Sequence, residues 1–270
     1  MRNLGGYEDG WAEKIRRRSL QWLPVVGILA AIGIAVIVQP YRDTFAARSA
    51  KERKVEVRNV VVMREIKSSG DWNADPTAVP QLMHQLRGRT GDKGRWKSFA
   101  EPMEMGDDEV FRWPLVYITG HDGFEFTDKE RENIRRYVLN GGVLWSDDCL
   151  PGQSAYMKDF KSEIKKIFPE YRLESIKKED PRFTSMYSLF YKVEKEPGCI
   201  WAPAIDNLVM LVDGQLAVVV TMNDYGCAWE VSVPPTQDEP IGLGMHAWGG
   251  AQREAVYQFT TNLFYYILTH

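Results

Sequence analysis

An α/β fold in three layers, with a mostly parallel sheet between two layers of helices and an N-terminal transmembrane helix ahead of it, is predicted by three features of the sequence. Short apolar runs rich in β-branched residues alternate with amphipathic helical stretches from Val55 to the carboxyl end. Two of those runs, PLVYITG from Pro114 and GVLWS from Gly142, lack polar alternation and suit strands covered on both faces. Before the domain lies an apolar run without a single charge.

That run, Trp22 to Val38, is 17 residues of WLPVVGILAAIGIAVIV, with Lys14, Arg16, Arg17 and Arg18 before it and Arg42 after it. As a helix it spans about 26 Å, and Leu20 and Gln21 bring it near the ~30 Å hydrocarbon core. The expected organisation is therefore a tail over 1–21, a transmembrane helix over 22–40 and a polar linker over 41–54, then one α/β domain over 55–270. Pro24 falls in the first turn, where a helix tolerates it. The run exceeds the apolar region of a cleaved signal peptide, and no convincing A-x-A cleavage site follows it. Arg17-Arg18-Ser19-Leu20 matches a twin-arginine signal only faintly. Arg48, Lys51, Arg53 and Lys54 nearly balance the basic residues on the near side, and the short tail is expected inside with the domain outside.

Within the domain, Val55 to Ile66 reads as a strand, followed by the turn residues Ser68 to Asp71. Asp75-Pro76 supplies an N-cap and a first-turn proline. Val79, Leu82, Met83 and Leu86 then fall on one helical face before Gly88. After a segment around Trp96 to Met105 comes the strand PLVYITG. Thr127 and Glu130 form a capping box for a helix that turns Ile134, Tyr137 and Val138 inward and stops at Asn140-Gly141-Gly142. The strand GVLWS, a helix from Gln153 to Phe168, the strand Leu216 to Met222 and a closing helix from Val256 to Leu268 complete the order. Such alternation implies right-handed crossovers in a flavodoxin-like arrangement.

Composition narrows the function. With 44% hydrophobic and 26% charged residues the chain is globular. A net charge of -3 lacks the basic excess that phosphate contacts need, so no nucleic-acid partner is expected. Three cysteines in a chain of 270 residues do not indicate a disulfide framework. Nine tryptophans suit a site or an interface as well as a core.

Each strand of this reading runs into polar residues: Asp71-Trp72, His121-Asp122, Asp147-Asp148-Cys149 and Asn223-Asp224. Parallel strands would bring all four clusters to one edge, where ligands of open α/β sheets bind. The expected ligand-binding set is Asp71, Trp72, His121, Asp147, Asp148, Asn223, Asp224, Trp229 and Glu230. Any one of these acidic or amide residues also reads as an ordinary turn former, and Trp229 as a cap on the core. His121 suits a general base or a metal ligand, and His121, Asp148 and Cys149 are the catalytic candidates. Asp147 and Asp148 point to opposite faces if the strand continues through them. A nucleophilic Cys149 needs a lowered pKa, whereas nearby carboxylates would raise it. No cofactor is predicted. A divalent cation held by Asp147, Asp148, Asp224 and His121 is chemically consistent, although no spacing is diagnostic. In the string Asn223 to Glu230, Gly226 permits a tight turn.

Taken together, Gly70-Asp71-Trp72 with Asp75-Pro76-Thr77, Tyr117 to His121, Gly141 to Leu144 running into Asp147-Asp148, and Asn223-Asp224 with Gly226-Cys227 and Trp229-Glu230 resemble the bacterial family called domain of unknown function 4159, over roughly residues 55 to 268. The resemblance implies a class I glutamine amidotransferase-like fold and membrane association, and no established activity. Where an amidotransferase has a G-x-C-x-G elbow, this chain has Asp147-Asp148-Cys149-Leu150-Pro151. The leading expectation is a ligand- or partner-binding accessory module of a bacterial envelope complex, held in the inner membrane by residues 22–38, with its domain in the periplasm and protein partners in the envelope. The alternative is a hydrolase using His121 and carboxylates, metal-assisted in one version. A third is a structural interaction protein using Tyr257, Phe264, Tyr265 and Tyr266 of the closing helix.

Overall fold

The computed structural model describes residues 61–91, 96–97, 101–151, 154–175, 191, 193, 197–199, 203–232 and 250–269. The expected tail, transmembrane helix and linker, and residues 55–60 of the domain, lie outside the described residues. No described helix is long and apolar enough to cross a membrane.

In chain order the elements are β1 (Val61–Lys67), α1 (Ala78–Thr90), β2 (Trp96–Lys97), β3 (Met103–Glu104), a 3-10 turn (Asp108–Arg112), β4 (Leu115–Gly120), α2 (Asp128–Leu139), β5 (Val143–Asp148), α3 (Ala155–Ile167), β6 (Glu174–Ser175), β7 (Leu208–Val212), β8 (Gln215–Thr221), α4 (Tyr225–Trp229) and α5 (Gly250–Thr269). The sheet runs β2-β1-β4-β5-β8-β7-β6, with β3 also pairing β1. From β2 to β8 every pairing is parallel, and β7 alone among the described strands runs against the rest. The fold is thus α/β with a mostly parallel sheet, as the alternating pattern predicts.

β4 and β5 are buried along their whole length, which is why their sequences show no polar alternation. One face of the sheet packs α1, α4 and α5 through Met63, Leu82, Tyr117, Trp145, Trp229 and Phe264. The other packs α2 and α3 through Val116, Ile118, Ile134, Phe160 and Val218.

Several local expectations change. Helix α1 begins at Ala78, so Asp75-Pro76 precedes it, and Thr77 at the N-cap makes no capping bond. The Thr77 hydroxyl instead donates to the Val231 carbonyl and accepts from the Val231 amide, pinning α1 to the chain after α4. The helix also passes Gly88 and closes at Gly91 in the left-handed region. The capping box at Thr127 and Glu130 is formed as read. The closing helix is longer than expected, and Tyr257, Phe264 and Tyr266 are buried in the core. These three rings therefore serve the core, where the helix covers the broad rings of Trp96 and Trp145, and Tyr265 alone of the four expected aromatics is partly exposed.

Helices α2 and α3 are tied by Glu163, whose 3% exposed side chain accepts from Arg131 at 2.8 Å and Lys166 at 2.6 Å. Burial alone would raise its pKa, but the bonds from Arg131 and Lys166 outweigh burial and hold it below the usual carboxylate range. A lowered folded-state pKa gives stability that is present above the unfolded value and is lost as pH falls through the folded one. Glu163→Gln should therefore destabilise the domain by about 1–3 kcal/mol at pH 7 and by much less near pH ~3. Urea melts of both proteins at the two pH values check this, and an equal difference at both would be inconsistent with it.

Candidate functional site

The order β2-β1-β4-β5-β8 carries a switch point. After β1 the chain crosses to the face of α1, whereas after β4 and β5 it crosses to the opposite face of α2 and α3. The connections leaving β1 and β4 therefore diverge, and a crevice opens above their carboxyl ends. Asp71 lies in the first of these connections and His121 opens the second. Asp71 accepts the backbone amides of His121 and Asp122, each at 2.8 Å, and its other oxygen lies 2.7 Å from His121 Nδ1. A β-carbon on Gly120 would lie 2.8 Å from Asp71 Oδ1, so the pair needs glycine there. Burial pushes the Asp71 pKa up, but the bonds from Asp122 and His121 outweigh burial and leave it lowered. The side chains of His121 and Asp71 are 38% and 31% exposed, so this pair faces solvent. A polar surface cavity of about 520 Å³ adjoins the same connections at Ser69 and Gly123 and extends to Asp159 and Lys166.

A second polar group is buried beneath α4. Asp147 and Cys149 project to the α1 and α5 face and Asp148 to the other, as alternation in a strand requires. Asp147 accepts from the Thr221 hydroxyl, from the backbone amides of Tyr225 (3.2 Å) and Gly226 (2.7 Å), and from the Tyr117 hydroxyl at 3.4 Å. Burial raises its pKa to about 7, with Asp75 adding to the shift and the Thr221 and Gly226 bonds opposing it. Glu65, level with Tyr117 on β1, is raised to about 7 by burial and then by Asp75.

Asp75 is 3% exposed, and its two oxygens accept from Cys149 Sγ at 2.8 Å and Cys227 Sγ at 3.2 Å. Asp224 is 1% exposed with a left-handed backbone, φ 61° and ψ 53°. Neither of its carboxylate oxygens has a hydrogen-bond partner of regular geometry among the described residues. Burial raises its pKa to about 9, with Asp147 and Asp75 adding to the shift and the thiol and backbone amide of the nearby Cys227 opposing it. The Cys227 contact favours a Cys149 thiolate, but burial and the carboxylates of Asp75, Asp224 and Asp147 outweigh it and hold the thiol well above its ordinary value. The Cys227 thiol is raised further by Cys149, by burial and by Asp75. Gly226 is required by close approach: a β-carbon there would sit 2.3 Å from Asp75 Oδ2 and 2.9 Å from the Tyr117 hydroxyl.

The expected site residues divide accordingly. Asp71 and His121 meet, and Trp72, the residue after Asp71, is partly exposed. Asp147, Cys149 and Asp224 share the buried group, and Trp229 is fully buried against Tyr117 and Trp145. Asp148 accepts from the Ser154 hydroxyl and the Leu150 amide. Asn223 accepts the Ile205 amide and donates to its carbonyl, fastening the connection before β7. Glu230 is 6% exposed, and its carbonyl accepts from Arg253. The quartet Asp147, Asp148, Asp224 and His121 is thus not assembled around a cation, because Asp148 faces away and His121 is bound to Asp71. Cys149 as a nucleophile finds no support in its surroundings: it is 2% exposed, and burial with the neighbouring carboxylates holds its pKa well above the ordinary value.

The residues missed from sequence are Asp75, Cys227, Thr221, Tyr117 and Glu65. Asp75 resembles a helix cap and the others sit inside or beside apolar runs. One signal was available: Asp224 and Cys227 are three apart, and Cys149 follows two aspartates, so two of the three cysteines stand beside carboxylates at strand ends.

The family model described as Domain of unknown function (DUF4159) matches residues 60–268 of the chain. No curated protein matches it.

Proposed function

We propose that this chain, which belongs to the DUF4159 family, is a membrane-anchored accessory module that binds a small polar or saccharide-like ligand, or a partner loop, at the switch-point crevice. The observation that carries this reading is the Asp71–His121 pair: it bridges the diverging connections after β1 and β4 and is open to solvent, whereas Asp147, Asp148, Asn223 and Asp224 are buried. Ligands of open parallel sheets bind at such points. Trp72, next to Asp71 in the chain and partly exposed, is the aromatic residue that would supply a stacking surface. The anchor is the uncharged run over 22–38, and the setting is a bacterial inner membrane with the domain in the periplasm. The sheet order supports an amidotransferase-like frame, whereas the burial of Cys149, 2% exposed, argues against a thiol nucleophile in it.

A screen of mono- and oligosaccharides by ligand-observed magnetic resonance should find a binder. Asp71→Asn and His121→Ala should each weaken its Kd roughly tenfold, about 1.4 kcal/mol, with circular dichroism showing both variants folded; Asp71→Asn should also lower the melting temperature, because it weakens the bonds that Asp71 accepts from the His121 and Asp122 amides. A hydrolase is favoured by the same pair in one respect: a carboxylate on Nδ1 orients the ring so that Nε2 can act as a base. Turnover of chromogenic esters or glycosides that His121→Ala abolishes would replace the binding reading with this one.

A further inference from the structure

The buried group beneath α4 has a composition that folding alone does not explain. One oxygen of Asp75, one of Asp224 and the sulfurs of Cys149 and Cys227 lie within 4.8 Å of one another. Their residues are 3%, 1%, 2% and 6% exposed. They come from three connections distant in sequence, those after β1, β5 and β8. Hydrogen bonding accounts for part of the arrangement, since both thiols donate to Asp75. It does not account for Asp224, whose two buried oxygens have no regular hydrogen-bond partner among the described residues. Thiols are weak donors, and a buried carboxylate is costly unless it is paired, hydrogen-bonded or coordinated. No ion pair among the described residues reaches Glu65, Asp75, Asp147 or Asp224. A positive charge at the centre of the four atoms would satisfy them all at once.

We propose that Asp75, Cys149, Asp224 and Cys227 are the four ligands of a divalent metal ion of the zinc class, in a closed site that joins the connections after β1, β5 and β8. The donor set selects the ion. Two sulfurs exclude the all-oxygen preference of calcium and magnesium, and four mixed ligands suit tetrahedral zinc. Zinc bonds of about 2.3 Å to sulfur and 2.0–2.2 Å to oxygen put ligand atoms roughly 3.3–3.8 Å apart. Atoms already gathered within 4.8 Å reach that spacing by small side-chain rotations. Two thiolates and two carboxylates also leave the same overall charge around the ion as the four thiolates of a common structural site.

The surroundings support the ligands as an outer shell does. Asp147 holds the amides of Tyr225 and Gly226, and so fixes the turn that carries Cys227. Gly226 leaves the space that Asp75 occupies. With four protein ligands and no exposed position, the site is structural: it stabilises the polar edge and leaves no coordination position for substrate.

The test uses the full-length chain in detergent, equilibrated with Zn²⁺ and then desalted. It should retain about one zinc per chain, and Co²⁺ in its place should give thiolate-to-cobalt charge-transfer absorption. Cys149→Ser and Cys227→Ser should each weaken Zn²⁺ retention by about tenfold or more and roughly halve the charge-transfer intensity. Asp224→Asn should weaken retention while keeping that absorption, and Cys199→Ser, outside the set, should change neither. Circular dichroism separates a lost ligand from a lost fold. If the cysteine variants do not fold, X-ray absorption at the zinc edge of the unaltered protein decides, with a mixed sulfur and oxygen shell expected. Folded protein that retains no zinc and gives no cobalt charge transfer overturns the proposal. So does a zinc shell without sulfur, or a folded Cys149→Ser/Cys227→Ser variant that binds as tightly as the parent.

Discussion

Trp145→Ala should cost the domain about 3–5 kcal/mol, the range for removing a fully buried aromatic ring. Trp145 sits on β5 at the centre of the sheet with 0% exposure, its ring centroid 5.5 Å from that of Trp229, 5.8 Å from Phe264 and 6.3 Å from Tyr117. Its indole N–H donates to the Thr221 hydroxyl at 2.9 Å, and that hydroxyl donates in turn to Asp147. The substitution therefore removes core volume and the support of the buried polar group together. Trp145→Phe keeps most of the ring and should cost less, with a contribution of about 1 kcal/mol from the lost hydrogen bond. Leu150, 48% exposed, is the natural contrast, and Leu150→Ala should stay within about 0.5 kcal/mol. Urea unfolding followed by tryptophan fluorescence and circular dichroism measures all three. A Trp145→Ala cost no larger than that of Leu150→Ala would contradict the packing described.

Gly226→Ala should be nearly as damaging although it adds only a methyl group. The new carbon would meet a carboxylate oxygen and a phenol oxygen at 2.3 and 2.9 Å, and both belong to side chains held in the interior. Overpacking of a dense core costs about 1–3 kcal/mol and more where neighbours cannot move; Asp75 is pinned by two thiols and Tyr117 by its ring contacts with Trp145 and Trp229. A loss of about 3 kcal/mol is expected. Gly88→Ala serves as the control, because a β-carbon there meets nothing within 4 Å and its helical position favours alanine. The ratio of the two unfolding midpoints checks this, and equal midpoints would mean that Asp75 and Tyr117 yield freely.

The sequence by itself determined the strands β1, β4, β5 and β8, the helices α1, α2, α3 and α5 and the shared direction of those strands, but not α4 or the antiparallel β7. PLVYITG and GVLWS read as strands because burial on both faces removes polar alternation. The capping box at Thr127 and Glu130 is local chemistry that any context preserves. The polar residues after β1, β4, β5 and β8 reach one edge because those strands are parallel, a property already implied by helices between them. Tertiary structure alone decided which of those residues meet. Asp147 and Asp148 differ by one position, yet a strand's alternation sends one into the buried group and the other to Ser154. Asp75 lies before a helix and looks like its cap. Only the approach of α4, permitted by the bare Gly226, makes it the acceptor for two thiols from remote connections. Periodicity and capping act between residues a few positions apart and are written in the chain. The meeting of Asp75, Cys149, Asp224 and Cys227 spans about 150 residues of sequence, 152 between the outermost pair, and depends on how whole elements stack.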